Sequence, residues 1–241
     1  MHICSLPAGS SGGPDSLRPQ HLLDLTNCKE TGPELISAIT VLVNLLLARI
    51  CLNEVRSTLF GGTLFAMRKE SGGLRPIVIG YYWHRLSSKC ANTFALPRVS
   101  SNFAVHTARR FLSKMVEGSI LVKWISQMLL KAYAEVVMLS SVSDTLPELL
   151  PYCNLAYGET MPSDLKFGHF SLRSEVGQQQ GDPLGPLLFC LPLQAIQLNL
   201  QSPLVLSYLD DLNLGGRVGV VAADVETIER EWGAVSEPRK I

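Results

Sequence analysis

Hydrophobic and polar positions along this chain follow two different periods. From Glu34 to Leu52 the apolar residues recur at helical spacing, which predicts a buried helix with Thr31 or Gly32 near its cap and Pro33 in its first turn. From 60 to 80 two runs of strand formers, TLFAM and RPIVIG, flank the polar RKESGGL, which predicts a β-hairpin with a Gly-Gly turn carrying Arg68, Lys69 and Arg75. Helical patterns follow over Tyr82 to Phe94, His106 to Val116 and Leu121 to Leu150, although KWISQMLLKAYAEVVML (123–139) has no clean amphipathic face. Strand material surrounds Phe167 to Leu172, and the glycine and proline turn GQQQGDPLGP (177–186) opens a helix from Leu187 to about Leu200. The segment VLSYLDDLNLGG (205–216) has two short apolar runs joined at adjacent aspartates, and a helix is expected over 223–235. Helices and strands are thus mixed along the chain, with no internal repeat, which reads as an α+β class.

Composition narrows the picture. The 241 residues are 46% hydrophobic, which argues for a buried core and against disorder. Lys+Arg and Asp+Glu are both 21, so a generally cationic nucleic-acid coat is excluded while a local basic groove is not. Charged residues make up only 17%, below the roughly 25% usual in soluble domains. The cysteines at 4, 28, 51, 90, 153 and 190 include no close pair, which disfavours a zinc knuckle and suits reduced thiols in an intracellular protein. Met1 to Ser11 lacks the pattern of a signal peptide, and the most apolar stretch, Ile36 to Leu52, is interrupted by Asn44 and Arg49 and is short for a span; no membrane partner is expected.

The sharpest chemical feature is Tyr208-Leu209-Asp210-Asp211. Two carboxylates side by side in an apolar hairpin repel each other unless a cation offsets them, and a hard divalent metal such as Mg²⁺ is the usual partner. An Asp-Asp pair alone is also an ordinary turn. Upstream, Gln180-Gly181-Asp182-Pro183-Leu184-Gly185-Pro186 combines a glycine that lets backbone approach a ligand with prolines that stiffen a helix start.

Taken together, SSGGPDSLRPQHL (10–22), GGLRPIVIG (72–80), QGDPLGPLLF (180–189) and YLDD (208–211) resemble, in order, motifs of the reverse transcriptases of non-LTR retrotransposons. The resemblance implies a right-hand polymerase fold of fingers and palm, with a ferredoxin-like palm sheet and packed helices. Residues 1–110 would be fingers-like and 111–241 palm-like, within one reverse transcriptase domain whose thumb is missing. It implies RNA-directed DNA polymerisation by two Mg²⁺ ions on an RNA or DNA template with primer and dNTP. Asp210 and Asp211 would be the metal carboxylates, with Tyr208 beneath the primer end. Gln180, Gly181 and Pro183 would line the nucleotide and template site, and Arg75 and Lys69 would meet the triphosphate. Such enzymes act on chromosomal targets, so the implied location is intracellular and nuclear.

The chain departs from that pattern at one decisive place. The family keeps a further aspartate on the first palm strand, in a segment of the type K-[LI]-D-F-x-N-A-F, and here the matching run is Lys123-Trp124-Ile125-Ser126, with no aspartate. Codons for Trp124 to Lys131, read one base out of frame with suitable synonymous choices, are compatible with D-F-S-N-A-F-K, and Trp124 and Met128 leave no choice of codon. The expectation is a polymerase fragment that is inactive because this carboxylate is missing. The alternatives are a catalytically dead remnant that binds nucleic acid through Lys69, Arg75, Arg109 and Arg110, or a translation product that never folds stably.

Overall fold

The structure is a computed structural model describing residues 9–69, 72–99, 119–125, 135–158, 163–174, 178–179, 181–208 and 211–236. The first helices are α1 (Pro19–Thr26), α2 (Gly32–Leu47) and α3 (Asn53–Leu59). Strands β1 (Gly62–Arg68) and β2 (Leu74–Gly80) follow, then α4 (Tyr82–Val99), β3 (Ser119–Ile125) and α5 (Glu135–Thr145). A 3-10 turn (Pro147–Leu149) leads into α6 (Leu150–Tyr157), and β4 (Ser163–Phe167) and β5 (Phe170–Ser174) form a second hairpin. Last come α7 (Gly185–Gln197), β6 (Leu204–Tyr208), β7 (Asp211–Arg217) and α8 (Val218–Ser236).

Local chemistry explains most of these boundaries. Helix α2 begins after Thr31 with Pro33 in its first turn and stops at Leu47, short of the Leu52 expected from periodicity. Arg49 there takes a left-handed φ of 63°, and the Ile50 N–H donates back to the Leu45 carbonyl at 2.8 Å, which closes the helix in a Schellman-type cap. In the β1–β2 hairpin, Gly72 and Gly73 both have positive φ, 87° and 83°, as a turn through that region requires. Lys69 closes it by donating its N–H to Gly73 and accepting from Gly72, both at 3.1 Å.

The helical expectation over Leu121 to Leu150 is corrected. Ser119–Ile125 is a strand, residues 126–134 lie outside the described ones, and Glu135–Thr145 is helical. The run SILVKWI is rich in β-branched and aromatic residues, and its antiparallel pairing with β7 overrides the ambiguous helical pattern. The expected helix over His106 to Val116 lies outside the described residues.

Two sheets result. One has strand order β2-β1-β4-β5, mixed because β4 runs parallel to β1; the other has order β3-β7-β6 and is antiparallel. Helix α7 links their cores. Leu187, Leu188 and Leu191 pack with Phe60, Met138, Val142, Tyr152 and Cys153, while Leu193 and Ile196, further along the same helix, pack with Leu212, Leu214, Val221 and Ile228. A third apolar cluster, Leu22, Ile39, Val43, Tyr82 and Leu86, joins α1, α2 and α4. Burying each such side chain contributes roughly 1.5–3 kcal/mol, so α7 fixes the smaller sheet relative to the loop that precedes the helix. Among the described residues, no helix is long and apolar enough to cross a membrane.

Candidate functional site

Asp211 is the first described residue of β7, the central strand of the antiparallel sheet. Tyr208 and Asp211 are the last register partners of β6 and β7, and Ile125 and Asp211 are the last partners of β3 and β7. Asp211 therefore stands on the central strand with Tyr208 on one side and Ile125 on the other. Along β7, Leu212 and Leu214 are buried in the core, so by strand alternation Asn213 belongs to the opposite face. Ile125 of β3 is the direct register partner of Asp211. Asp210 and Leu209 lie outside the described residues, as does Gln180.

The second part of the site is the loop before α7. Gly181 has φ 120°, a conformation that side-chain-bearing residues avoid, and a Cβ on it would collide with the carbonyl oxygen of Val78 on β2. From sequence this glycine is given to the approach of a ligand, whereas the close approach described is to the backbone of β2. Arg75 is exposed on β2, three residues from Val78, and Lys69 is half-buried at the hairpin turn. Arg75 and Lys69 thus lie on the hairpin that Gly181 abuts, nearer its turn than Val78. Pro183 is half-buried in the loop itself.

Asp182 was read from sequence only as a loop residue, and its role emerges in three dimensions. Its side chain is 1% exposed; Oδ1 accepts the Leu184 N–H at 3.0 Å, and Oδ2 faces His84 Nε2 at 3.4 Å. That contact is within ion-pair range but lacks hydrogen-bond alignment. The His84 ring lies tilted on Phe60, centroids 4.8 Å apart. Gln179 donates its Nε2 to the Phe60 carbonyl at 2.7 Å. Tyr152 and Ser88 share a hydroxyl hydrogen bond of 2.8 Å, and the Tyr152 hydroxyl donates to the His84 carbonyl at 3.3 Å.

Burial, reinforced by the Asp182 carboxylate, pushes the Tyr152 phenol well above its ordinary range. The same two causes push the Cys153 thiol up to about 12. Neither group ionises near neutrality, so both serve packing and hydrogen bonding. A lone Asp or His in a sequence carries no signal of such a pairing, since the partners are 98 residues apart by their numbers, 84 and 182.

The segment before α1 joins the same neighbourhood. Arg85 Nη1 donates to the Ser11 carbonyl at 2.7 Å, and a Cβ on Gly13 would come within 2.6 Å of the Gly80 carbonyl. Three of the four motifs singled out in the sequence, at 10–22, 72–80 and 180–189, thus meet around the base of β2.

No family model and no curated protein matches this chain. Among solved structures, it is similar to the insertion-loop deletion mutant of the RNA-dependent RNA polymerase of a human picobirnavirus, with a TM-score of 0.53 at 12% sequence identity. The match covers 70% of this chain and 39% of that one, so the chain spans well under half of the polymerase it resembles. At this identity the likeness speaks to architecture alone: the chain has a mixed α+β, polymerase-like fold.

Proposed function

We propose that the chain is a reverse-transcriptase fragment of retrotransposon origin, comprising fingers and palm, that retains a nucleic-acid and nucleotide site without working catalysis. The observation that carries this reading is the β3–β7 register, in which Ile125 occupies the position beside Asp211. Asp210 and Asp211 are the proposed metal carboxylates, and the donor set is one carboxylate short of a site for two Mg²⁺ ions. Arg75 and Lys69 are the proposed triphosphate contacts, Gln180, Gly181 and Pro183 line the nucleotide and template side, and Tyr208 supports the primer end. The polymerase-like fold supports a template with primer as the partner.

Losing one of three metal carboxylates removes several kcal/mol of transition-state stabilisation, at roughly tenfold in rate per 1.4 kcal/mol. The same gap favours the second reading, a remnant that binds nucleic acid and does no chemistry. One comparison tests both. Ile125→Asp is expected to tighten Mn²⁺ binding, followed by electron paramagnetic resonance, by about tenfold, with the gain abolished by Asp210→Asn. Primer extension is expected only in the Ile125→Asp protein. Equal Mn²⁺ affinity of wild type and Ile125→Asp would overturn the metal site, and absence of primer–template binding at low salt would overturn the remnant reading. The genomic sequence around the Lys123 codon tests the frame explanation: without a single-base shift there, it fails.

A further inference from the structure

The segment Gln179–Asp182 is held at both ends and abuts β2 in between. At one end Gln179 donates to the Phe60 carbonyl; at the other Asp182 meets His84 at 3.4 Å. Both anchors converge on one place, because the His84 ring rests on Phe60. Between them lie Gln180 and Gly181, with Gly181 against the Val78 carbonyl. The clamp therefore brackets the very dipeptide that the proposed function assigns to the nucleotide and template.

We infer that His84 is the positioning residue of this loop. The argument turns on what a buried pair of this kind is good for. The Asp182 carboxylate has its Oδ2 without a hydrogen-bond partner among the described residues, and both ring nitrogens of His84 are in the same state. A buried charge so sparsely satisfied adds little net stability, and apolar residues of similar volume would serve packing as well. What the pair does supply is a direction: it fixes the start of α7 against α4, since the same carboxylate also accepts the Leu184 N–H at 3.0 Å. His84 is itself held from the other side, its carbonyl accepting from Tyr152 and its helix tied by Ser88 to the same hydroxyl. Helix α4 and helix α6 thus meet at the His84 backbone, and its imidazole carries that registration on to the loop before α7.

The inference rests on the proposed nucleotide site for its purpose, and its test separates the two. Hydrogen exchange of the 178–190 peptide reports the loop, thermal melting reports global stability, and anisotropy of a fluorescent dATP with Mg²⁺ and primer–template reports the site. His84→Leu leaves the buried Asp182 carboxylate without its imidazole partner, so it is expected to lower both melting temperature and loop protection. His84→Leu with Asp182→Asn removes the stranded charge while keeping the Oδ1 acceptor. The double variant is expected to recover most of the melting temperature yet exchange the loop at least tenfold faster than wild type and bind the nucleotide about fivefold more weakly. His84→Gln, whose amide can place a donor near the Nε2 position, is expected to stay within twofold of wild type in both. Unchanged loop exchange in the double variant would overturn the inference, as would loop protection that simply tracks melting temperature across all variants. Faster loop exchange with no wild-type nucleotide binding would support His84 as the loop's positioner and overturn the nucleotide site.

Discussion

Gly181→Ala isolates the close approach on which the candidate site depends. Two costs add at this position. A φ of 120° is essentially restricted to glycine, and holding alanine there costs on the order of 1–3 kcal/mol. The added methyl also meets the Val78 carbonyl, a backbone atom that can yield only if the sheet moves, and overpacking of this kind costs about 1–3 kcal/mol. Their sum, roughly 2–6 kcal/mol, is large against a total stability of about 5–15 kcal/mol. The loop can limit the damage by lifting off β2, so the expected loss is about 4 kcal/mol, the middle of that range. Two control glycines separate the terms. Gly168, in the β4–β5 turn, has φ 59° with no atom within 4 Å of a Cβ, so Gly168→Ala carries only the left-handed cost, about 1–2 kcal/mol. Gly219, in the first turn of α8 and also open, carries neither, and Gly219→Ala should stabilise by roughly 0.5 kcal/mol. Urea unfolding followed by circular dichroism, analysed at a common slope, gives the three differences. A Gly181→Ala loss within about 0.5 kcal/mol of the Gly168→Ala loss would refute the contact with Val78.

Two further outcomes follow from other parts of the molecule. Cys28 is exposed, and hydrogen bonds from the Thr31 hydroxyl and from the backbone N–H groups of Thr31 and Glu30 pull its thiol from 9.0 to about 7. Its iodoacetamide labelling should rise through that pH and level off by about pH 8, Thr31→Val should move the midpoint upward, and Cys153 should stay unlabelled in the native protein; mass-spectrometric rates with Cys153 reacting first would contradict this. Asp224 on α8 is buried and accepts the Gln201 N–H at 3.0 and 3.1 Å and the Ser202 N–H at 2.7 Å, so Asp224→Ala strands two donors and should cost roughly 2–4 kcal/mol in urea unfolding, with Asp224→Asn recovering part of it. A neutral Asp224→Ala would show that water replaces the carboxylate there.

The sequence by itself determined the pieces whose signals are local. The Gly-Gly hairpin, the proline-opened helix α2, the turn and helix from Asp182 into α7, and the paired short runs around the aspartates all follow from turn chemistry and short-range periodicity, which a few neighbouring residues settle. The glycine needed for close approach was legible too, though what it approaches was not. Tertiary structure alone decided β3, because SILVKWI becomes a strand only by pairing with β7, nearly a hundred residues later, and that pairing sets Ile125 beside Asp211. It alone decided that α7 spans two cores, since a mostly apolar helix does not announce which residues meet which partner. The His84–Asp182 pair belongs with these: each residue is unremarked in its own segment, and only burial at 3.4 Å turns them into one device. Local rules select elements, whereas register and buried pairing depend on contacts between segments far apart in the chain, where the chemistry of this site resides.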